Sequence, residues 1–195
     1  MGFREVKAHL SRFRVGIAGA GGLGSNCAVA LARSGVGTLV ICDFDVVEAS
    51  NLNRQYFFSR QAGKLKTLAL KENISEIDSE ITVITSSEKL NESNIPEIFN
   101  GCDLLIEALD SAEMKQMFIE TVLSKFDGVP LIAGSGLAGW GGNNELRCRK
   151  IDASLYVCGD ESSSDSSETP VMAPRVGIVA CMQANLAIEL LMKKI

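Results

Sequence analysis

VGIAGAGGLGSNCAVALARSGVGTLVICDFDVVEASNLNRQ, residues 15–55, decides the fold class of this chain. Residues 15–18 are a short apolar run of the kind that forms a buried strand, and the run empties into Gly19, Gly21, Gly22 and Gly24. Apolar residues then recur at helical spacing from about Leu23 to Arg33. A second apolar run, residues 39–42, ends on Asp43-Phe44-Asp45. A strand, a glycine turn, a helix and a second strand tipped by an acid make the layout of a nucleotide-binding unit. The glycines let backbone approach phosphate or ribose where a Cβ would clash. The first N–H groups of the helix have no partners within it and attract an anion.

Working outward, strand and helix patterns keep alternating. An amphipathic helix is expected over residues 3–13, a helix over 64–77, and a strand over 81–85. A short helix limited by Pro96 should cover 91–99. Residues 103–109 read as a buried strand that again ends on an acid, Asp110. A helix over 112–126, a strand over 130–133 and a glycine-rich turn follow. Residues 145–151 alternate like an antiparallel strand, with 155–157 as partner, and Pro174 suits the first residue of a final helix. The fold class is therefore α/β, a Rossmann-like, mostly parallel sheet with helices on both faces and antiparallel strands near the C-terminus. Residues 1–195 form a single domain, long enough to build a real core. Residues 159–169, GDESSSDSSET, contain no apolar side chain and should form a mobile loop.

The net charge of −5 argues against a broad nucleic-acid surface, which needs clustered Lys and Arg. No stretch resembles a signal peptide and no run of 18 or more apolar residues offers a membrane span, so a cytoplasmic location is expected. Six cysteines occur without a C-x-x-C pair, so no structural zinc is expected and most should be buried reduced thiols.

Gly19-x-Gly21-x-x-Gly24 with Asp43 fits a nicotinamide dinucleotide as well as other nucleotides. Asn51, Arg54, Gln55, Lys64 and Lys66 break the tie, because they form a polar and basic set between the second strand and the next helix. A dinucleotide has no general need of such a set. A triphosphate does, since its charge must be neutralised around the reacting phosphorus. Asp110 at a strand end suits magnesium, a hard cation that takes carboxylate, water and phosphate oxygens. Strand ends on one edge of a parallel sheet let Asp43 and Asp110 face the same crevice.

G-A-G-G-L-G-S, D-F-D-V-V-E-A-S-N-L-N-R-Q, G-K-L-K-T and A-L-D together resemble the adenylation domain of the ThiF/MoeB family, relatives of the ubiquitin-activating enzymes. The resemblance runs from about Arg14 to Gly136, and the short length and P-R-V-G-I-V-A near the C-terminus resemble the short sulfur-carrier adenylyltransferases. It implies ATP- and Mg2+-dependent adenylylation of the C-terminal glycine carboxylate of a small ubiquitin-like sulfur carrier protein ending in Gly-Gly. A ThiS-like carrier of thiamine thiazole biosynthesis is the first expectation. A molybdopterin-type carrier or a tRNA-modification relative is the alternative, and a non-catalytic nucleotide-binding module is the alternative from another class. By the same resemblance Gly19, Gly21, Gly22 and Gly24 admit the nucleotide, Asp43 takes the ribose with help from Asp45, and Asn51 and Arg54 hold phosphates. Gln55 positions Arg54, Lys66 meets the α-phosphate, Asp110 holds magnesium, residues 159–169 cross over the carrier's tail, and the chain is a homodimer.

The chain also departs from the family. It lacks the zinc-binding C-x-x-C pairs of longer members and their N-terminal arginine motif, for which Arg4 or Arg12 would have to substitute. Some relatives use a cysteine nucleophile. Cys158, beside the polar loop, is the candidate here, although Asp160, Glu161 and Asp165 make its surroundings unfavourable for a thiolate.

Overall fold

The computed structural model describes residues 2–166 and 168–194, so Ser167 of the expected loop lies outside the described residues. Its helices are α1 (Phe3–Leu10), α2 (Gly22–Ser34), α3 (Lys66–Ser75), α4 (Ile95–Ile98), α5 (Ala112–Lys125) and α6 (Ala173–Met192). Its strands are β1 (Arg14–Ala18), β2 (Thr38–Cys42), β3 (Thr82–Ser86), β4 (Leu104–Glu107), β5 (Leu131–Gly134), β6 (Arg147–Lys150) and β7 (Leu155–Gly159). They form one sheet in the order β3-β2-β1-β4-β5-β7-β6, parallel throughout except for the antiparallel β6–β7 pair. The expected α/β architecture is the observed one.

Period-two strands bury both faces. Val15, Ile17, Leu39, Ile41, Leu104 and Ile106 point into a core shared with α2 and α6. Ala18, Val40, Cys42 and Leu105 point the other way, into a core closed by Phe99, Phe118 and Val122 from beside α4 and from α5. This double burial is why the central strands read as unbroken apolar runs. The long helix α6 lays Val176, Val179, Ala180, Ala184, Ala187 and Leu191 against the first core. The edge strand β6 is exposed along its whole length and carries Arg147, Arg149 and Lys150, charges of the kind that discourage edge-to-edge pairing.

Several elements are shorter than the sequence suggests: α1 stops at Leu10, α3 covers Lys66–Ser75, β6 covers Arg147–Lys150, and α4 and β4 are trimmed for local reasons. Residues 91–94 do not join α4, because the Asn91 side chain accepts from the amides of Ser93 and Asn94 and offers the backbone a turn in place of a helix. The strand expected from residue 103 begins at Leu104, because the Asp103 carboxylate turns back to accept from the Arg14 amide at 2.8 Å.

The sheet changes direction of growth between β1 and β4, and the crevice at that switch point depends on two glycines. Gly19 has φ +94°, and a Cβ on it would lie 2.6 Å from the Ala108 carbonyl oxygen. A Cβ on Gly24 would lie 1.9 Å from the Gly19 carbonyl oxygen, closer than any real contact. The start of α2 therefore sits directly on the end of β1. Gly24→Ala should force the two apart and cost about 3 kcal/mol, the upper part of the overpacking range. Chemical denaturation of the variant checks this, and a midpoint equal to that of the parent would refute the contact.

Candidate functional site

The crevice floor is the Gly19–Gly24 turn and the N-terminus of α2. The N-cap is Gly21, with no side-chain cap and no acid in the first turn, so the leading N–H groups remain available to an anion. Asp43, just past β2, accepts from the Ala20 amide at 2.6 Å and from the Asp45 amide at 2.8 Å. Burial pushes its carboxyl above the ordinary range, against these two hydrogen bonds and nearby Lys66. Its acceptor capacity is not exhausted by two amides, since a carboxylate offers about four lone-pair sites.

Residues 49–65 wrap back over this turn, and the wrapping has a physical cause that the motif alone does not reveal. Ser25 and Asn26, near the start of α2, act as clips. Ser25 Oγ accepts from the Tyr56 amide at 2.9 Å, and Asn26 Nδ2 donates to the carbonyls of Gly22 at 2.7 Å and Arg54 at 3.0 Å. Arg54 thus lies beside Gly22, whose Cβ position would be 3.7 Å from its Cγ. The half-buried Arg54 donates to the Asn53 side chain at 2.9 Å and to the Ser50 carbonyl at 3.3 Å, both exposed partners that compete weakly for it. Asn51 accepts from the Glu48 amide at 3.1 Å. Gln55 is buried against Gly21, and its Oε1 finds no partner among the described residues.

Lys66 opens α3 and is 6% exposed. Its ammonium donates to Asp45 at 2.7 Å, and its amide donates to the Asp45 carbonyl at 2.9 Å. The structure thus gathers Gly19, Gly21, Gly22, Gly24, Arg54 and Gln55 in one group and Asp43, Asp45 and Lys66 in another beside it. Asp110 stands at the same edge, two residues past Ala108, which packs on Gly19. It is exposed, and no described side chain bonds to it. No group of three or more His, Cys, Asp or Glu side chains suited to a metal occurs among the described residues.

The cysteine expectation needs correction. Cys158 is fully buried and bonded to Cys148, which faces it in the β6–β7 register at a Cα separation of 4.2 Å. A nucleophile must be an accessible thiolate, and a buried disulfide sulfur is neither. Nor are these two the reduced thiols anticipated. Cys27, Cys42 and Cys102 are free and buried, and Cys181 is free and exposed. Burial pushes the Cys42 thiol up to about 11, which leaves it inert at neutral pH.

A second feature escaped the sequence reading. Arg175, in the first turn of α6, is buried and pairs with buried Asp160, just after β7, while also donating to the Gly141 carbonyl. Ser163 Oγ then accepts from the Ala138 amide at 3.1 Å, and Asp165 accepts from the Val171 amide at 3.2 Å. The polar segment is thereby attached to the glycine-rich turn and to the approach to α6. Arg12 holds His9, whose other ring nitrogen meets the Leu191 carbonyl at 3.1 Å.

A doubly wound sheet with an anion-receptive helix N-terminus, a carboxylate at the next strand end and basic side chains around them defines a nucleotide-binding domain. The chain belongs to the ThiF family, whose family model matches residues 3–195. The adenylyltransferase and sulfurtransferase MOCS3 of Caenorhabditis briggsae is 32% identical over 183 residues, 90% of this chain and 45% of that protein. The adenylyltransferase and sulfurtransferase UBA4 of Saccharomyces cerevisiae is 31% identical over 190 residues, 94% of this chain and 42% of that protein. The chain thus spans under half the length of these curated relatives. Among solved structures, Escherichia coli tRNA N6-threonylcarbamoyladenosine dehydratase, TcdA, in complex with AMP has a TM-score of 0.88 at 19% identity, covering 97% of this chain and 90% of that one. Escherichia coli MccB with ATP has a TM-score of 0.72 at 25% identity, covering 95% and 57%. TcdA at this identity supports the fold alone.

The buried pair generates a prediction. Burial opposes the charge on Asp160, but hydrogen bonds from the Ser163 and Ser162 amides and from Arg175 outweigh it and hold the carboxyl well below the usual range. A depressed carboxyl contributes stability that is present above its unfolded value, about 3.9, and is lost as pH falls toward its folded value. Arg175→Met should cost about 3–5 kcal/mol at neutral pH, because it strands a buried carboxylate. The deficit relative to the parent should shrink as pH drops below about 4. Urea unfolding at several pH values checks both statements, and a deficit independent of pH would contradict them.

Proposed function

We propose that this chain is an ATP- and magnesium-dependent adenylyltransferase that activates the C-terminal glycine carboxylate of a small ubiquitin-like carrier protein, releasing pyrophosphate. The observation that carries this reading is the gathering of Arg54, Gln55 and Asp43 around the open N-terminus of α2, with Lys66 beside them on Asp45. The names of the MOCS3 and UBA4 relatives, adenylyltransferase and sulfurtransferase, support a carrier that later takes sulfur. Within that class the thiamine-pathway carrier is our first assignment and a molybdopterin-type carrier the second. The net charge of −5 speaks against tRNA as a substrate.

The chemistry asks for charge neutralisation. A carboxylate attacking the α-phosphorus brings two anions together, so no general base is needed, and alignment and positive potential lower the barrier. Asp43 takes the ribose hydroxyls with its remaining lone pairs and fixes the sugar. The α2 N-terminus and Arg54 draw the phosphates onto the glycine turn. Lys66 exchanges Asp45 for the α-phosphate side. Asp110, exposed and unengaged, fits magnesium, which favours one carboxylate with waters and phosphate oxygens and supplies further positive charge when bound.

Two further proposals complete the reading. Residues 159–169 cross over the carrier's tail and become protected from protease once the carrier is bound; equal cleavage with and without carrier would exclude this. A second copy covers the apolar strip of Pro174, Gly177, Ile178 and Met182 on α6, giving a homodimer.

ATP–pyrophosphate exchange with purified candidate carriers tests the function. No exchange with any carrier, together with thermal protection by NAD and none by ATP, would replace it with the dinucleotide-module reading. Binding and chemistry should separate within the site. Asp43→Ala should mainly weaken ATP binding, because ribose does not change during the reaction. Arg54→Ala and Lys66→Ala should each slow adenylate formation about a hundredfold at saturating ATP, the effect of one preorganised electrostatic group. Single-turnover rates decide the matter, and full recovery at saturating ATP would make both residues binders only.

A further inference from the structure

Glu107 is a carboxylate without solvent. It ends β4, and its side chain is wholly buried. Burial pushes its carboxyl above the usual range, against the pull of Lys115 and of the Leu109 amide. Packing does not require a charge at such a place, since replacing a buried ion pair by apolar side chains of similar volume is often neutral or stabilising. The arrangement of its partners suggests another role.

Those partners surround one residue. Glu107 Oε1 accepts from the Leu109 amide at 2.7 Å. Oε2 pairs with the Lys115 ammonium, which also donates to the Gly134 carbonyl at the end of β5, at 2.8 Å. The Glu107 carbonyl accepts from the Gln183 amide group of α6 at 3.1 Å. On the far side of the turn, Ser111 caps α5 by accepting from the Met114 amide, and its carbonyl takes the Lys115 amide at 2.9 Å. Asp110 therefore stands exposed on a length of chain, residues 107–115, closed on itself by an ion pair and anchored to β5 and α6. Leu109 before it and Ser111 after it are both held.

We propose that Glu107 and Lys115 are positioning residues: their pair closes the turn and aims the Asp110 carboxylate at the phosphate end of the crevice. The proposal rests on the adenylyl-transfer reading for the role of Asp110. Glu107 and Lys115 act through Asp110, not by touching the reacting atoms.

The test uses Lys115→Gln, because Lys115 is partly exposed and its loss is easier to accommodate than a change at Glu107. Mn2+ affinity is read by electron paramagnetic resonance, in the full chain loaded with a non-hydrolysable ATP analogue. Native circular dichroism confirms the fold. The affinity should fall about tenfold or more, as when an outer partner of a metal ligand is removed, and exchange should fall in parallel while the KM for ATP stays within about twofold. Lys115→Arg should restore most of both. In an Asp110→Ala background, Lys115→Gln should have no further effect on Mn2+ affinity. If Lys115→Gln does not fold, Glu107→Gln carries the same predictions, since it keeps an oxygen for the Leu109 amide and removes only the charge. Unchanged Mn2+ affinity, or a loss that adds to that of Asp110→Ala, overturns the proposal. Absence of exchange in the parent chain would sink the adenylation reading instead, and the Mn2+ comparison would still decide the positioning role.

Discussion

The architecture depends on three backbones meeting where β1 ends. Gly24 of α2 lies against the Gly19 carbonyl, and Gly19 in turn lies against the carbonyl of Ala108 just past β4. Any side chain at either glycine would separate helix from strand or β1 from the chain leaving β4. This closeness brings the positive end of α2 to the switch point of the sheet, where a parallel α/β fold has its natural crevice. It also sets the distance from which Ser25 and Asn26 can hold the returning segment at Arg54 and Tyr56. Arg54 is thus delivered by α2, although it follows that helix in the chain by a whole strand.

Charge is divided around this contact in a way that suits an asymmetric anion. The carboxylate beside the glycine turn, Asp43, is held by two backbone amides and is partly withdrawn from water. Arg54 lies beside Gly22 at the N-terminus of α2, where the helix dipole adds to its charge, and Lys66 reaches Asp45. The disulfide Cys148–Cys158 and the Asp160–Arg175 pair belong to a different task. The disulfide fastens β6 to β7, which the ladder with β5 already joins to the sheet, and the ion pair fastens the polar segment after β7 to α6.

Legibility in the sequence follows the range of the interactions. The glycine turn, Asp43 and the paired strand ends are local patterns whose meaning is set within a few residues, and they were readable. So was the clustering of Asn51, Arg54 and Gln55, because one motif contains all three. Ser25 and Asn26 were not, since their partners lie about thirty residues on and their side chains look like ordinary helix residues. The Glu107–Lys115 and Asp160–Arg175 pairs were invisible for a related reason: Glu107 and Arg175 are charges in apolar runs, which signal a buried partner without naming it, and Asp160 is one acid among several in a polar run. The Cys148–Cys158 bond needed the hairpin register, which spacing alone does not provide. A nucleophile role for Cys158, already disfavoured by the acids beside it, is removed by its burial in the disulfide.

The Lys66–Asp45 pair connects folding to function most directly. An ammonium buried to the extent of Lys66 costs several kcal/mol to desolvate if it stands alone. Asp45 offsets that cost in the absence of nucleotide, and it is itself half exposed, so it can return to water when displaced. On the proposed function, exchanging Asp45 for a phosphate oxygen would leave the lysine paired throughout and rehydrate the carboxylate. A lysine left unpaired would be destabilising before the substrate arrives, and one paired to a fully buried acid would be hard to release. The partial exposure of Asp45 separates this pair from Glu107–Lys115, whose acid has no water to return to and whose geometry stays fixed.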